Sequence, residues 1–175
     1  MKKLFMVVAG LLVISLISGC AFAMRIDDSY KGKVIDAETK QPIKGVVVLA
    51  IWYREKGNFR TLYDVMEIAT DTNGEYEIPG KGLLIMSNIL PVRTLIFKAS
   101  YEHIGIGSWI SLKGNGLSKS FKMQGDKAII PLKKLTMEER QRRGAPVSYL
   151  YVPAEKIKLL MKEIEKERID LGLMP

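Results

Sequence analysis

Gly45-Val46-Val47-Val48-Leu49-Ala50-Ile51-Trp52-Tyr53-Arg54 is the stretch on which the fold turns. From Val46 to Tyr53 it holds no polar residue and is rich in β-branched and aromatic side chains, which favour a strand. A strand with one wet face alternates apolar with polar, so this run belongs in the middle of a sheet, covered on both sides. Alternation puts Trp52 and Tyr53 on opposite faces, and at most one of them faces any given core. Outward from this run, Tyr30 to Ile35 reads as a strand and Asp36 to Pro42 as a polar turn. Downstream come a hairpin-like loop at Gly57-Asn58, then strands Thr61 to Thr70 and Glu75 to Ile78, joined as a hairpin by Asn73-Gly74, a pair that supplies positive φ cheaply. Thr94 to Ser100, Ser108 to Leu112, Lys119 to Met123 and Ala128 to Leu132 complete the series. The expected class is mainly β: a seven- to eight-stranded antiparallel sandwich with a C-terminal helical extension.

Gly32-Lys33-Val34-Ile35-Asp36 through Thr39, Pro42-Ile43-Lys44-Gly45-Val46-Val47-Val48, and Thr70-Asp71-Thr72-Asn73-Gly74-Glu75-Tyr76-Glu77-Ile78 together resemble the carboxypeptidase regulatory-like domain. That family has a transthyretin-like β-sandwich, and the likeness spans residues 30 to 100. It implies an accessory, noncatalytic module, with Tyr76 as a large inward filler. Between Pro79 and Pro91 this chain departs from the family pattern. Gly80-Lys81-Gly82-Leu83-Leu84-Ile85-Met86 is longer and more apolar, as suits a cover for a sheet edge or a contact surface.

At the N-terminus, Lys2 and Lys3 precede an apolar run from Leu4 to Ile17, too short to cross the roughly 30 Å hydrocarbon layer comfortably. The run ends in Leu16-Ile17-Ser18-Gly19-Cys20, which resembles the lipobox of bacterial lipoproteins. The resemblance implies cleavage before Cys20, a diacylglycerol on its thiol and an acyl group on its new amine, hence lipid (palmitate-type) anchoring to a membrane. With Ala21 rather than Asp after the cysteine, it further implies the outer membrane, facing the periplasm. The alternative is an ordinary secretory signal cut after Ala23. The expected organisation is a signal peptide at 1–19, a lipidated tether at 20–29, the sandwich at 30–135 and a helical tail at 136–175.

The tail begins with Thr136-Met137-Glu138-Glu139, a capping-box pattern for a short helix through Arg143. Pro153 suits a helix's first turn, and Ala154 to Leu171 is expected as a second helix closed by Gly172. Its apolar stripe is Ile157, Leu160, Met161, Ile164 and Leu171, broken by Glu167 and Arg168. Such a helix can pack on its own sandwich, bind a partner or dimerise, or lie on the membrane.

Residue inventory restricts the chemistry. The 175 residues include one cysteine and one histidine, His103. If Cys20 carries lipid, no thiolate remains for catalysis or metal, and no cofactor or metal site is expected. Asp71-Thr72-Asn73-Gly74 resembles part of a calcium loop, but the distant carboxylate falls on Gly80. Gly114-Asn115-Gly116 lacks the ending of a phosphate loop. Asp64 and Glu67 face opposite sides of a strand and do not converge as a glycosidase pair. Arg140, Arg142 and Arg143 read as a solvated helix end. Cleavage before Cys20 removes Lys2 and Lys3 and no acid, so the net charge falls from +8 to +6. The charge is dispersed, and no nucleic acid is expected as partner. The resulting expectation is a lipid-anchored envelope module that binds or scaffolds a protein partner and is not an enzyme. The alternative is a binder of carbohydrate or peptidoglycan strands, through Trp52, Tyr53 and Trp109 as stacking aromatics.

Overall fold

A computed structural model describes residues 24–106, 121–143 and 152–173, and within them the strands come first along the chain and the helices last. The strands are β1 Met24–Asp27, β2 Tyr30–Asp36, β3 Val47–Lys56, β4 Phe59–Ala69, β5 Glu75–Ile78, β6 Gly82–Ile85, β7 Arg93–Phe97, β8 Ile104–Ile106, β9 Lys122–Gln124 and β10 Lys127–Leu132. The helices are α1 Met137–Arg143 and α2 Lys158–Asp170, with a 3-10 turn at Ala154–Lys156. Two compact units result: Ser29–Pro79 with the chain from Ile89 onward, and Gly80–Asn88 with the chain up to Asp28.

In the larger unit the strands form two four-stranded sheets, ordered β5-β2-β10-β9 and β4-β3-β7-β8. As its composition requires, β3 is central, pairing with β4 from Val47↔Ala69 to Lys56↔Phe59 and with β7 from Val47↔Phe97 to Ile51↔Arg93. Val48, Ala50 and Trp52 share one face of β3 and are fully buried. Trp52 meets the ring of Tyr30, on β2 of the other sheet, at 6.3 Å, so the two sheets face each other in a sandwich-like arrangement. On the opposite face of β3, Val47, Leu49 and Ile51 form a second core with Ile157, Leu160 and Ile164 of the tail. Of the three placements open to the tail helix, packing on its own sheet is the one found. Met161, expected on its buried stripe, is instead exposed.

Two expectations of topology are corrected. The sheets are not wholly antiparallel, because β10 runs parallel to β2 from Lys127↔Lys31 to Leu132↔Asp36. Parallel neighbours need a long crossover rather than a tight hairpin, and the chain between these two strands is long enough to provide one. Asn73-Gly74 does not make a hairpin either. β4 and β5 lie in different sheets, so this turn carries the chain across the sandwich. Asp71 sets it: its Oδ1 accepts the amides of Asn73 (2.9 Å) and Glu75 (2.8 Å). Gly74 has φ +72°, its carbonyl accepts Val34 N–H at 2.8 Å, and a Cβ there would lie 2.4 Å from the Val34 carbonyl oxygen.

Tyr76 is an inward filler, as expected, and its ring lies across Gly32, its neighbour in the β2–β5 register. A Cβ on Gly32 would come within 2.5 Å of the Tyr76 hydroxyl. The hydroxyl has no hydrogen-bond partner, and burial pushes its pKa upward. Of the late strands, Ser108 to Leu112 lies outside the described residues. β8, which pairs with β7, has no counterpart in the sequence reading.

The capping box forms as read. Thr136 Oγ1 accepts Glu139 N–H (3.3 Å) and Glu139 Oε2 accepts Thr136 N–H (2.9 Å). The second helix does not run unbroken from Ala154, because Ile157 leaves helical geometry at φ −130° while its side chain enters the seam beneath α2. At the other end Gly172, at φ +69°, closes α2 as anticipated.

Two outcomes follow. Gly74→Val is expected to destabilise the fold by more than about 1 kcal/mol, since both φ and the Val34 carbonyl oppose a β-branched side chain. Leu160→Ala should cost roughly 2–5 kcal/mol by emptying the seam under α2. Denaturant unfolding monitored by circular dichroism measures both, and a neutral Gly74→Val would contradict the turn geometry.

Candidate functional site

The seam between α2 and the sheet of β3 is apolar in the centre and carboxylate-lined at its rim. Ile157 offers no side-chain cap to α2, and the cap comes instead from β4. Glu67 Oε1 and Oε2 accept the amides of Leu159 (2.7 Å) and Leu160 (3.0 Å), placing a negative charge at the helix's positive end. Further along, Glu163 pairs with Lys98 at 3.4 Å and accepts Ala99 N–H at 3.2 Å. Glu167 accepts Ser100 N–H at 2.7 Å, so helix carboxylates satisfy the backbone where β7 ends.

Glu167 is also the centre of a buried charge cluster. Its side chain is 1% exposed, and Arg140 of α1 grips it with Nε at 3.0 Å and Nη2 at 2.8 Å. Arg140 also reaches Asp170 at 3.2 Å, and Arg143 lies 3.5 Å from Glu167 and donates to the Tyr101 carbonyl. Burial pushes the Glu167 pKa upward, but the hydrogen bonds from Arg140 and Ser100 and the charges of Arg140 and Arg143 outweigh it. Its carboxyl is held below the ordinary 4.5. Burial and then the Arg143 charge push His103 below its usual value, which favours a neutral imidazole. Sequence reasoning took Glu167 as a break in the apolar stripe and Arg140 as solvated. The missed signal was spacing: Glu167 stands seven residues after Leu160, on the same helix face.

Of the stacking aromatics, the two described ones, Trp52 and Tyr53, do not form a shared exposed surface. Trp52, a stacking aromatic only in the alternative reading and otherwise expected in the core, has no exposed surface, because its face of β3 is the one that meets the other sheet. Tyr53 is half-buried beside the α2 core, with the Arg93 guanidinium 5.8 Å from its ring. Tyr63 is more open but is covered by Arg54 at 4.6 Å. Trp109 lies outside the described residues. Asp64 accepts its neighbour's amide while Glu67 caps α2, so those two carboxylates serve separate structural purposes.

A cleft of about 330 Å³ opens beside β5, lined by Lys31, Ile68, Glu75, Tyr76, Glu77 and Lys127. Its charges neutralise one another, with Lys127 2.7 Å from Glu75 and Lys31 3.8 Å from Glu77 and 3.0 Å from Asp126. Among the described residues, no three His, Cys, Asp or Glu side chains gather as a metal site.

The smaller unit has a different character. β1 and β6 form a two-stranded antiparallel ribbon where a plain tether was expected. Asp27 locks it, its Oδ2 accepting Lys81 N–H at 2.9 Å. Gly80 passes so close that a Cβ would lie 2.0 Å from the Asp27 carbonyl oxygen. Met24 stands opposite Ile85 and Ile26 opposite Leu83, so alternation puts all four side chains on one face. They are exposed by 54, 59, 73 and 55% respectively, and Met86 beside them by 84%.

No family model, curated protein or solved structure matches this chain. Cys20 and the lipobox residues Leu16, Ile17, Ser18 and Gly19 lie outside the described residues. No helix among the described residues is long and apolar enough to cross a membrane.

Glu167→Ala is expected to destabilise by about 3–5 kcal/mol, because it strands the buried Arg140. The depressed carboxyl contributes stability that is present above pH 4.5 and lost as pH falls through the lower folded-state value. Glu167→Gln should therefore flatten the acid limb of the stability curve, and an unchanged limb would show that Glu167 is not the titrating group. Glu67→Gln should cost roughly 1 kcal/mol through the weakened cap; unfolding in urea at neutral pH reads it.

Proposed function

We propose that the protein is a lipid-anchored module of the bacterial cell envelope that binds or scaffolds a protein partner and carries no catalytic activity. In this reading residues 1–19 are a signal peptide, Cys20 becomes the acylated N-terminus, and the β unit is a transthyretin-like sandwich exposed to the periplasm from the outer membrane. The observation that carries it is the position of Leu16-Ile17-Ser18-Gly19-Cys20, whose cysteine stands four residues before Met24, the start of the first described strand.

The geometry favours binding over catalysis. An enzyme presents polar groups converging in a concave pocket, whereas the cleft beside β5 spends its charges on internal pairs. A glycan platform offers aromatic faces in a row, and Trp52 is committed to the core. A module that works by contact exposes an apolar patch toward a partner or a membrane, and the β1–β6 ribbon exposes one.

Metabolic labelling with an alkyne fatty acid should mark the wild type in the membrane fraction and leave Cys20→Ser unlabelled; label that persists in the variant would sink the lipoprotein reading. His103→Ala should leave the protein folded, in the membrane and functional in a deletion-complementation assay. Loss of function in that folded, membrane-bound variant would favour an enzyme instead.

A further inference from the structure

The apolar face of the β1–β6 ribbon has a specific occupant. We infer that Met24, Ile26, Leu83 and Ile85 seat in the interfacial layer of the bilayer that holds the lipid on Cys20, so that the chain is fixed to the membrane at a second, noncovalent point. This rests on the acylation of Cys20 proposed above.

Reach decides between occupants. Only Ala21, Phe22 and Ala23 separate Cys20 from β1, and four residues span at most about 14 Å when fully extended. The headgroup layer on each side of the hydrocarbon is roughly 5–8 Å deep. With its acyl chains in the hydrocarbon, Cys20 lies at that layer, and the start of β1 cannot move far from it. A ribbon held there meets lipid at a very high effective concentration, far above that of any soluble partner. Its one-sided pattern suits the boundary. The exposed face carries the two cross-strand apolar pairs, while Arg25, Leu84 and Asp27 alternate onto the other, less exposed face. Shallow insertion of such a surface is the way amphipathic segments bind membranes, and the mature chain's net charge of +6 adds attraction to anionic headgroups. Since the acyl chains already retain the protein, the ribbon's contribution is orientation.

The test uses the full-length lipoprotein, in which a lipidated Cys20 has no free thiol, so that an introduced cysteine is the sole attachment point for a dye. Leu83→Cys, and Lys162→Cys on α2 as a control, are labelled with a polarity-sensitive fluorophore. Both are reconstituted in vesicles of phosphatidylethanolamine and phosphatidylglycerol with and without brominated acyl chains. A dye at residue 83 should shift to the blue and be quenched by bromine at least twofold, with the dye at residue 162 as the reference for a site outside the ribbon. If both dyes behave as if in water although fatty-acid labelling shows Cys20 acylated, the ribbon inference falls and the anchor stands. If the labelling itself fails, the anchor falls and the inference with it. A blue shift without vesicles that grows with protein concentration would assign the face to a second copy of the chain and likewise overturn membrane seating.

Discussion

Everything in the larger unit answers to one constraint: β3 is apolar on both faces, and both must be covered. A sheet can cover only one side of its neighbour. The sheet of β2, β5, β9 and β10 takes Val48, Ala50 and Trp52, and the tail takes Val47, Leu49 and Ile51. At about 25 cal/mol per Å² of apolar surface withdrawn from water, leaving either face bare would cost several kcal/mol, a large part of a domain's net stability. The helical tail is therefore a third layer of the fold.

Apolar contact alone would let α2 slide along the sheet, and the carboxylates at its rim prevent this. Glu67 fixes where the helix starts, Glu163 and Glu167 fix it against the end of β7, and Arg140 ties it to α1. A buried ion pair returns little net stability once the desolvation of both ions is set against their attraction. Its effect here is one of register. A shift of one residue would bury an unpaired charge and break several hydrogen bonds together, a penalty far larger than the loss of one apolar contact.

How much of this was legible in the sequence depended on the range of each signal. The unbroken run from Val46 to Tyr53 placed β3 in mid-sheet, and the Thr136–Glu139 spacing located α1, because both signals are local. Asn73-Gly74 was correctly read as a tight turn with positive φ, but the same residues serve hairpins and sheet crossings alike. Only the partner chosen by β5 distinguishes them. The ribbon was illegible for a similar reason: two four-residue strands, each too short to show a period, meet across more than fifty residues of chain. Glu167 was misread because a charge on an apolar stripe looks like an interruption until its counter-ion is known, and Arg140 lies on another helix. The burial of Trp52 was left open by alternation, which separates it from Tyr53 without saying which of the two faces meets the other sheet.

The cap on α2 has a kinetic side. The helix has no side-chain cap of its own and no acid in its first turn, and at thirteen residues it is marginal in water by itself. Its cap is a carboxylate 92 residues earlier in the chain. The cap exists only where β4 is in place, so α2 is expected to form on paired strands rather than ahead of them. Helix and sheet therefore stand or fall together: whatever unpairs β4 also removes the cap from α2.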